Sequence, residues 1–272
     1  MSAELAVVLR RLEIQKCTGV LRTGDGAIHF TDGAITSADC RRTTGLERLA
    51  VESGVATAEE WRRARSGDPS RVLHRPRLEA LAVLSVFDAA YFLMSSRSSP
   101  EFRPGPAHWM TGMCRVAPRA VVDEFERRRD ATGSPWPADL VDRVPVVPTR
   151  RVRQRRIALT GGQVEVLAAA DSRRSVAGIA RDLGRTTYGC LVAVRELTDA
   201  GLVERPGPAP VPITSAEPRV PTEPRVLVSG ADRPTLARRR VRATPALPVP
   251  ERWEPVDRDV LIRLKAALEG SA

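Results

Sequence analysis

Leu5, Val8, Leu9 and Leu12 recur at helical spacing, with Glu4, Arg10, Arg11 and Glu13 around them, so residues 3–16 predict an amphipathic helix. The period then shortens. Residues 19–23, 27–31 and 34–38 read as three short strands, broken at Gly24-Asp25-Gly26 and at Asp32-Gly33. An Asp-Gly pair between two β-like runs is a hairpin signal, because the tight turn needs positive φ. Ile28 and Phe30 alternate with His29 and Thr31, which predicts one buried face. Helical patterns return at 46–52. A further helix follows Thr57, whose spacing to Glu60 fits a capping box. Residues 77–94 are almost wholly apolar but contain Glu79 and Asp88. That stretch reads as a buried helix, too short and too charged to span a bilayer. A loop over 95–106 carries a short strand near Phe102. Pro118 then opens a helix with Val121, Val122 and Phe125 inward and Arg127, Arg128 and Arg129 outward.

The pattern places a first domain at 1–131 and a Pro/Arg-rich linker at 132–156. Five of the seven residues from Arg150 to Arg156 are arginine. Residues 157–205 hold three helical patterns. The first, 162–170, places Val164 and Leu167 on one face. The second opens on Ser175 as N-cap, with Val176, Ile179, Ala180 and Leu183 at i, i+3, i+4 and i+7. Gly184-Arg185 breaks it. The third runs from Thr186 or Thr187 to Ala200, with Leu191, Val194 and Leu197 inward and Gly201 as the C′ glycine. Leu202-Val203-Glu204 then reads as a short strand. Residues 206–250 are proline-rich without periodicity, the pattern of a disordered linker. Residues 251–272 recover an apolar stripe through Val256, Val260, Leu264 and Leu268. A lone helix of that length is marginal in water, so it is expected to dock on the rest of the chain or to form a homodimer.

The two closely spaced helices around Gly184 match a helix-turn-helix, whose second helix can enter a DNA major groove. The closing run Arg195-Glu196-Leu197-Thr198-Asp199-Ala200-Gly201-Leu202-Val203 resembles the end of the recognition helix in winged helix-turn-helix regulators. The resemblance puts Arg185, Thr186, Thr187 and Tyr188 at the base-reading end. Arg150, Arg151, Arg153, Arg155 and Arg156 would track phosphates as a basic arm. Four to five such contacts give log affinity a slope of about −4 in log salt. Two features oppose DNA. Glu196 and Asp199 offset Arg195 on the outer face, and the prolines after Val203 deny the returning strand of a wing. The alternative is a winged-helix-like domain that binds protein or merely packs.

Net charge is +10, which suits an acidic partner. Only Lys16 and Lys265 are lysines, however, and so strong an arginine skew is also what a GC-rich genome produces. Cys17, Cys40, Cys114 and Cys190 are far apart with no nearby histidine, so neither a zinc site nor a disulfide scaffold is expected. Thr160-Gly161-Gly162 lacks the lysine of a phosphate loop, and no GxSxG or HExxH spacing occurs. His29, His74 and His108 are isolated in sequence. No catalytic, cofactor or metal residues are assigned, and no enzyme activity is expected.

Lys16-Cys17-Thr18-Gly19-Val20-Leu21, the run Ala27-Ile28-His29-Phe30-Thr31-Asp32-Gly33-Ala34-Ile35-Thr36-Ser37-Ala38, and Gly45-Leu46 together resemble the PATAN domain of bacterial signalling proteins. The departure is a lengthened connection after Ala38 containing Arg41-Arg42. The resemblance implies an interaction module and brings no catalytic residues. With the second module, the combination resembles actinobacterial proteins labelled transcriptional regulators. The expectation is an α+β fold with a small antiparallel sheet packed with helices. An all-α helix-turn-helix domain and a disordered tail with a terminal helix follow it. The expected function is a cytoplasmic transcriptional regulator that binds DNA, receives a regulatory protein through residues 1–131 and makes no membrane insertion. The alternative is a signalling adaptor that never touches DNA.

Overall fold

Helix α1 (Ser2–Ile14) leads into strands β1 (Gly19–Thr23), β2 (Gly26–Thr31) and β3 (Ala34–Cys40). The connection between β2 and β3 is the two-residue turn Asp32-Gly33, with φ of 50° and 77°, as a right-twisting hairpin demands. A Cβ on Gly33 would lie 2.7 Å from the Glu13 carbonyl oxygen, so only glycine lets this turn approach the end of α1. Strand β4 (Glu101–Pro104) adds to the other side of β1, giving an antiparallel sheet in the order β3-β2-β1-β4. The β2–β3 register shifts between His29 and Phe30.

The computed structural model describes residues 2–96, 98–129, 136–149 and 157–206, all within a compact unit spanning Met1–Thr214. The arginine run 150–156, the proline-rich stretch from 207 and the terminal helix expected at 251–272 lie outside the described residues.

Of helices α2 (Leu46–Glu52), α3 (Ala58–Arg65), α4 (Pro76–Ser95) and α5 (Pro118–Arg129), α4 packs on the sheet through β3, α2 and α5 pack on α4, and α3 packs on α2. Thr57 and Glu60 form the expected capping box at the start of α3. Helix α4 is long and apolar enough to cross a membrane by length and composition alone. Here it is the core helix, packed on β3, α1, α2 and α5. Ala82, Val86, Ala89, Phe92 and Leu93 are buried along it. Leu5, Leu9 and Leu12 of α1 are buried as their spacing implied, whereas Val8 is only half-buried. Thr31 is buried rather than solvated, because its hydroxyl meets that of Thr111 at 3.0 Å. The alternation in β2 therefore does not leave an open face at its end.

The second half comprises α6 (Gly161–Ala169), α7 (Val176–Asp182) and α8 (Thr187–Asp199). Ser175 caps α7 through the Gly178 amide, and Gly184 takes the left-handed conformation with φ 60°. Thr160 and Gln163 form a capping box on α6. This explains Thr160-Gly161-Gly162 as a helix start, a T-x-x-Q signal legible in sequence. The buried residue of α6 is Val166, not Val164, which is 50% exposed. The small apolar stripe of this helix left its phase ambiguous.

Expectation and structure part most clearly at 136–148. Residues 136–149 are not a spacer. Trp136, Val141 and Val146 have no exposed surface, and the Trp136 indole N–H donates to the Thr198 hydroxyl at 2.9 Å. The Val146 amide donates to the Arg174 carbonyl, and the amides of Thr149 and Glu204 pair with Leu202 and Val147. The stretch around Val146 thus lies between the entry to α7 and the chain leaving α8. The prolines masked it: they remove periodicity but leave alternate apolar residues able to pair as edge backbone.

Candidate functional site

The leading end of α8 is the end a groove-reading helix would need open. It is closed by a carboxylate from α4. Asp88 lies in the middle of α4 and is 1% exposed. Its Oδ2 accepts from the Thr187 amide at 2.9 Å and its Oδ1 from the Tyr188 amide at 2.7 Å. The Thr186 hydroxyl accepts from the Gly189 amide at 3.3 Å. Between them, Asp88 and Thr186 satisfy the first amides of α8, which would otherwise face outward as an anion-binding end. A carboxylate at this terminus also meets the positive pole of the helix dipole.

Side chains reinforce the junction. The Arg128 guanidinium stands 4.1 Å from the centre of the Tyr188 ring, and Tyr91 meets the same ring edge-on at 4.7 Å. Arg128 also donates to Glu124 at 2.6 Å and to the Phe87 carbonyl at 3.4 Å. Arg128, expected to point outward with its neighbours, is therefore drawn in by the aromatic face of Tyr188. Burial pushes the Asp88 carboxyl up to about 6, opposed by the two amide bonds and by Arg128. The Thr187 hydroxyl is buried without a hydrogen-bond partner.

Of the residues expected at the DNA-reading end, Thr187 is wholly buried and Tyr188 is half-buried against α4 and α5. Arg185 is half-exposed but pairs with Glu165 at 2.7 Å. Arg195 donates from Nε and Nη2 to the Trp136 carbonyl, at 3.1 and 2.8 Å. The structure thus brings Thr186, Thr187 and Tyr188 together, with Thr187 and Tyr188 turned into the protein, which corrects their expected exposure, and Thr186 half-exposed as the cap of α8. The five arginines at 150, 151, 153, 155 and 156 lie outside the described residues. In the sequence, Asp88 reads only as a charge interrupting an apolar helix. An acid on the buried side of such a helix implies a buried partner, and that was the available signal.

Two histidines that are distant in sequence also meet. The rings of His29 and His108 are 4.5 Å apart, and burial together with the His29 charge brings His108 down to about 4. Cys40, Cys114 and Cys190 are buried thiols pushed up to about 11, 11 and 12 by burial, which leaves them protonated and weakly nucleophilic. Among the described residues no cluster of three or more His, Cys, Asp or Glu is arranged to hold a metal.

Comparison with protein-family models, curated proteins and solved structures finds no match for this chain.

Proposed function

We propose that this chain is a non-enzymatic regulatory adaptor. Its three-helix module is docked on its N-terminal domain and acts through protein contacts rather than by reading DNA with α8. The observation that carries this reading is the double hydrogen bond from Asp88 to the Thr187 and Tyr188 amides. It fills the helix end with a carboxylate, which repels phosphate where a recognition helix would attract it. The PATAN-like turn and strand motifs of the first domain support the same reading, since that resemblance implies an interaction module.

The test is a fluorescence-anisotropy titration of the full chain with mixed genomic duplex, comparing wild type with Arg185→Ala and Tyr188→Ala. The adaptor reading expects both variants to bind duplex as wild type does, whatever the arginine run contributes. A tenfold loss in Arg185→Ala, with the fold intact by circular dichroism, would sink it.

A DNA-binding regulator is the second reading, and one feature favours it. Three short helices in close succession, with Pro148 bridged to Val203 after the last of them, would suit a winged helix-turn-helix whose sheet is completed from upstream. The described state would then be the closed form of a latched reader. Asp88→Ala should in that case raise duplex affinity at least tenfold, whereas the adaptor reading expects no gain.

A further inference from the structure

The longer connection after β3 builds a second feature, separate from the α8 junction. Arg41 and Arg42 fold back over the β1–β2 turn. The Arg41 amide donates to the Asp25 carbonyl at 2.9 Å, and its Nε meets Asp25 Oδ1 at 2.7 Å. Arg42 Nη2 lies 3.1 Å from Asp25 Oδ2. One carboxylate is therefore shared by two guanidinium groups. Burial opposes its ionisation, yet the Ser96 hydroxyl and both arginines hold it below the usual carboxylate range. Gly24 makes the turn fit: a Cβ there would lie 2.4 Å from the Ser98 hydroxyl.

Arg42 is left under-compensated. Its side chain is only 7% exposed, and the nearest further acid, Asp142 Oδ1, is 3.9 Å from Nε, beyond hydrogen-bond range. Nε and Nη1 are buried with no hydrogen-bond partner. A buried guanidinium with two nitrogens unmatched is costly unless further negative charge comes near. Beside it opens a cleft of about 560 Å³, edged by Arg41, Arg42, Arg143, Ser95, Ser96 and Ser98, with Asp25 and Asp139. Arg41, Arg42 and Arg143 stand against Asp25 and Asp139 at its edge and Asp142 beside Arg42, whose ion pair at 3.9 Å is long, and the serines add hydroxyl donors. No aromatic side chain is among the described residues edging it, so nothing there would stack a nucleobase.

We propose that this cleft binds a small phosphate-bearing anion, with Arg143 and Arg41 meeting it at the rim and the buried Arg42 supplying the field beneath. Arginine forks and hydroxyls in a concave polar site match phosphate oxygens. The proposal is independent of whether α8 reads DNA.

Isothermal titration of the full chain with pyrophosphate, and separately with inorganic phosphate, at fixed ionic strength tests it. Saturable one-to-one binding of pyrophosphate is expected, weakened at least tenfold in Arg143→Glu. Arg143 is exposed, so that variant should keep its fold. Arg42→Gln, which removes the buried charge, should also weaken binding in protein whose thermal unfolding shows it folded. The absence of saturable heat with either probe overturns the proposal, as does equal affinity in Arg143→Glu. So does binding that disappears when the arginines between 150 and 156 are replaced while Arg143→Glu retains it.

Discussion

Asp88 carries opposing energies in one side chain. Two amides stabilise its ionised form, while burial penalises it, and burial wins: the carboxyl sits at about 6 instead of 3.8. The folded protein therefore holds this proton more tightly than the unfolded chain. The group's contribution to stability is fullest below pH 4 and is lost as pH rises through about 6. The shift of about two units corresponds to roughly 3 kcal/mol. Urea unfolding of wild type and Asp88→Asn, at pH 4 and pH 7, should show the stability difference moving by that amount against wild type. A difference that does not change with pH would show that Asp88 keeps an ordinary pKa. Asp88→Ala removes the acceptor for two buried amides. It should destabilise by about 2 kcal/mol at pH 7, with the relief of carboxylate burial partly offsetting the loss.

The joins between helices were specified locally and then constrained from outside. Gly184 and Gly201 both end helices with positive φ, 60° and 72°. A Cβ on Gly201 meets nothing within 4 Å, whereas one on Gly184 would lie 2.4 Å from the Glu52 Cβ on α2. Gly201→Ala should therefore cost only the left-handed strain, about 1 kcal/mol. Gly184→Ala should cost about 2 kcal/mol more, because two elements must also separate, an overpacking penalty of the usual size. Equal losses in thermal or urea unfolding would mean that α2 yields freely. Caps were the most legible features at this scale. Thr57 with Glu60 and Ser175 are all used as the sequence implied, since a cap depends on residues within one turn. The phase of α6 was not legible. Its apolar residues are small and near-continuous, and packing against α7 and α8 decides that Val166 is the inward one.

At the largest scale, the described residues of the two expected domains and of the stretch between them belong to one compact unit. Trp136 is the pin. It has no exposed surface, donates to Thr198 on α8, and its carbonyl receives Arg195. Trp136→Ala should cost about 3–5 kcal/mol, read as a loss of cooperative unfolding temperature. The three-helix module also depends on chain before it, because the stretch around Val146 pairs with the residues leading into α7 and with those leaving α8. A fragment of residues 157–206 should therefore show no cooperative thermal transition by circular dichroism, whereas the full chain should. A sharp two-state transition in that fragment would mean the module folds without its upstream strand.

Short-range rules were enough to find the Asp32-Gly33 hairpin, the caps, the Gly184 break and the apolar character of α4. Each of these depends on φ preferences, side-chain-to-backbone bonds within one turn, or burial periodicity over a few residues. What faces what required the folded chain. Asp88 and Tyr188 are 100 positions apart, and no local pattern encodes which helix end a buried acid will cap. The same holds for Arg42, whose environment is assembled from the β1–β2 turn, the end of α4 and the segment near Asp142. Burial makes charges seek partners wherever packing provides them, and the tertiary contacts decided that the leading end of α8 would meet a carboxylate from its own chain.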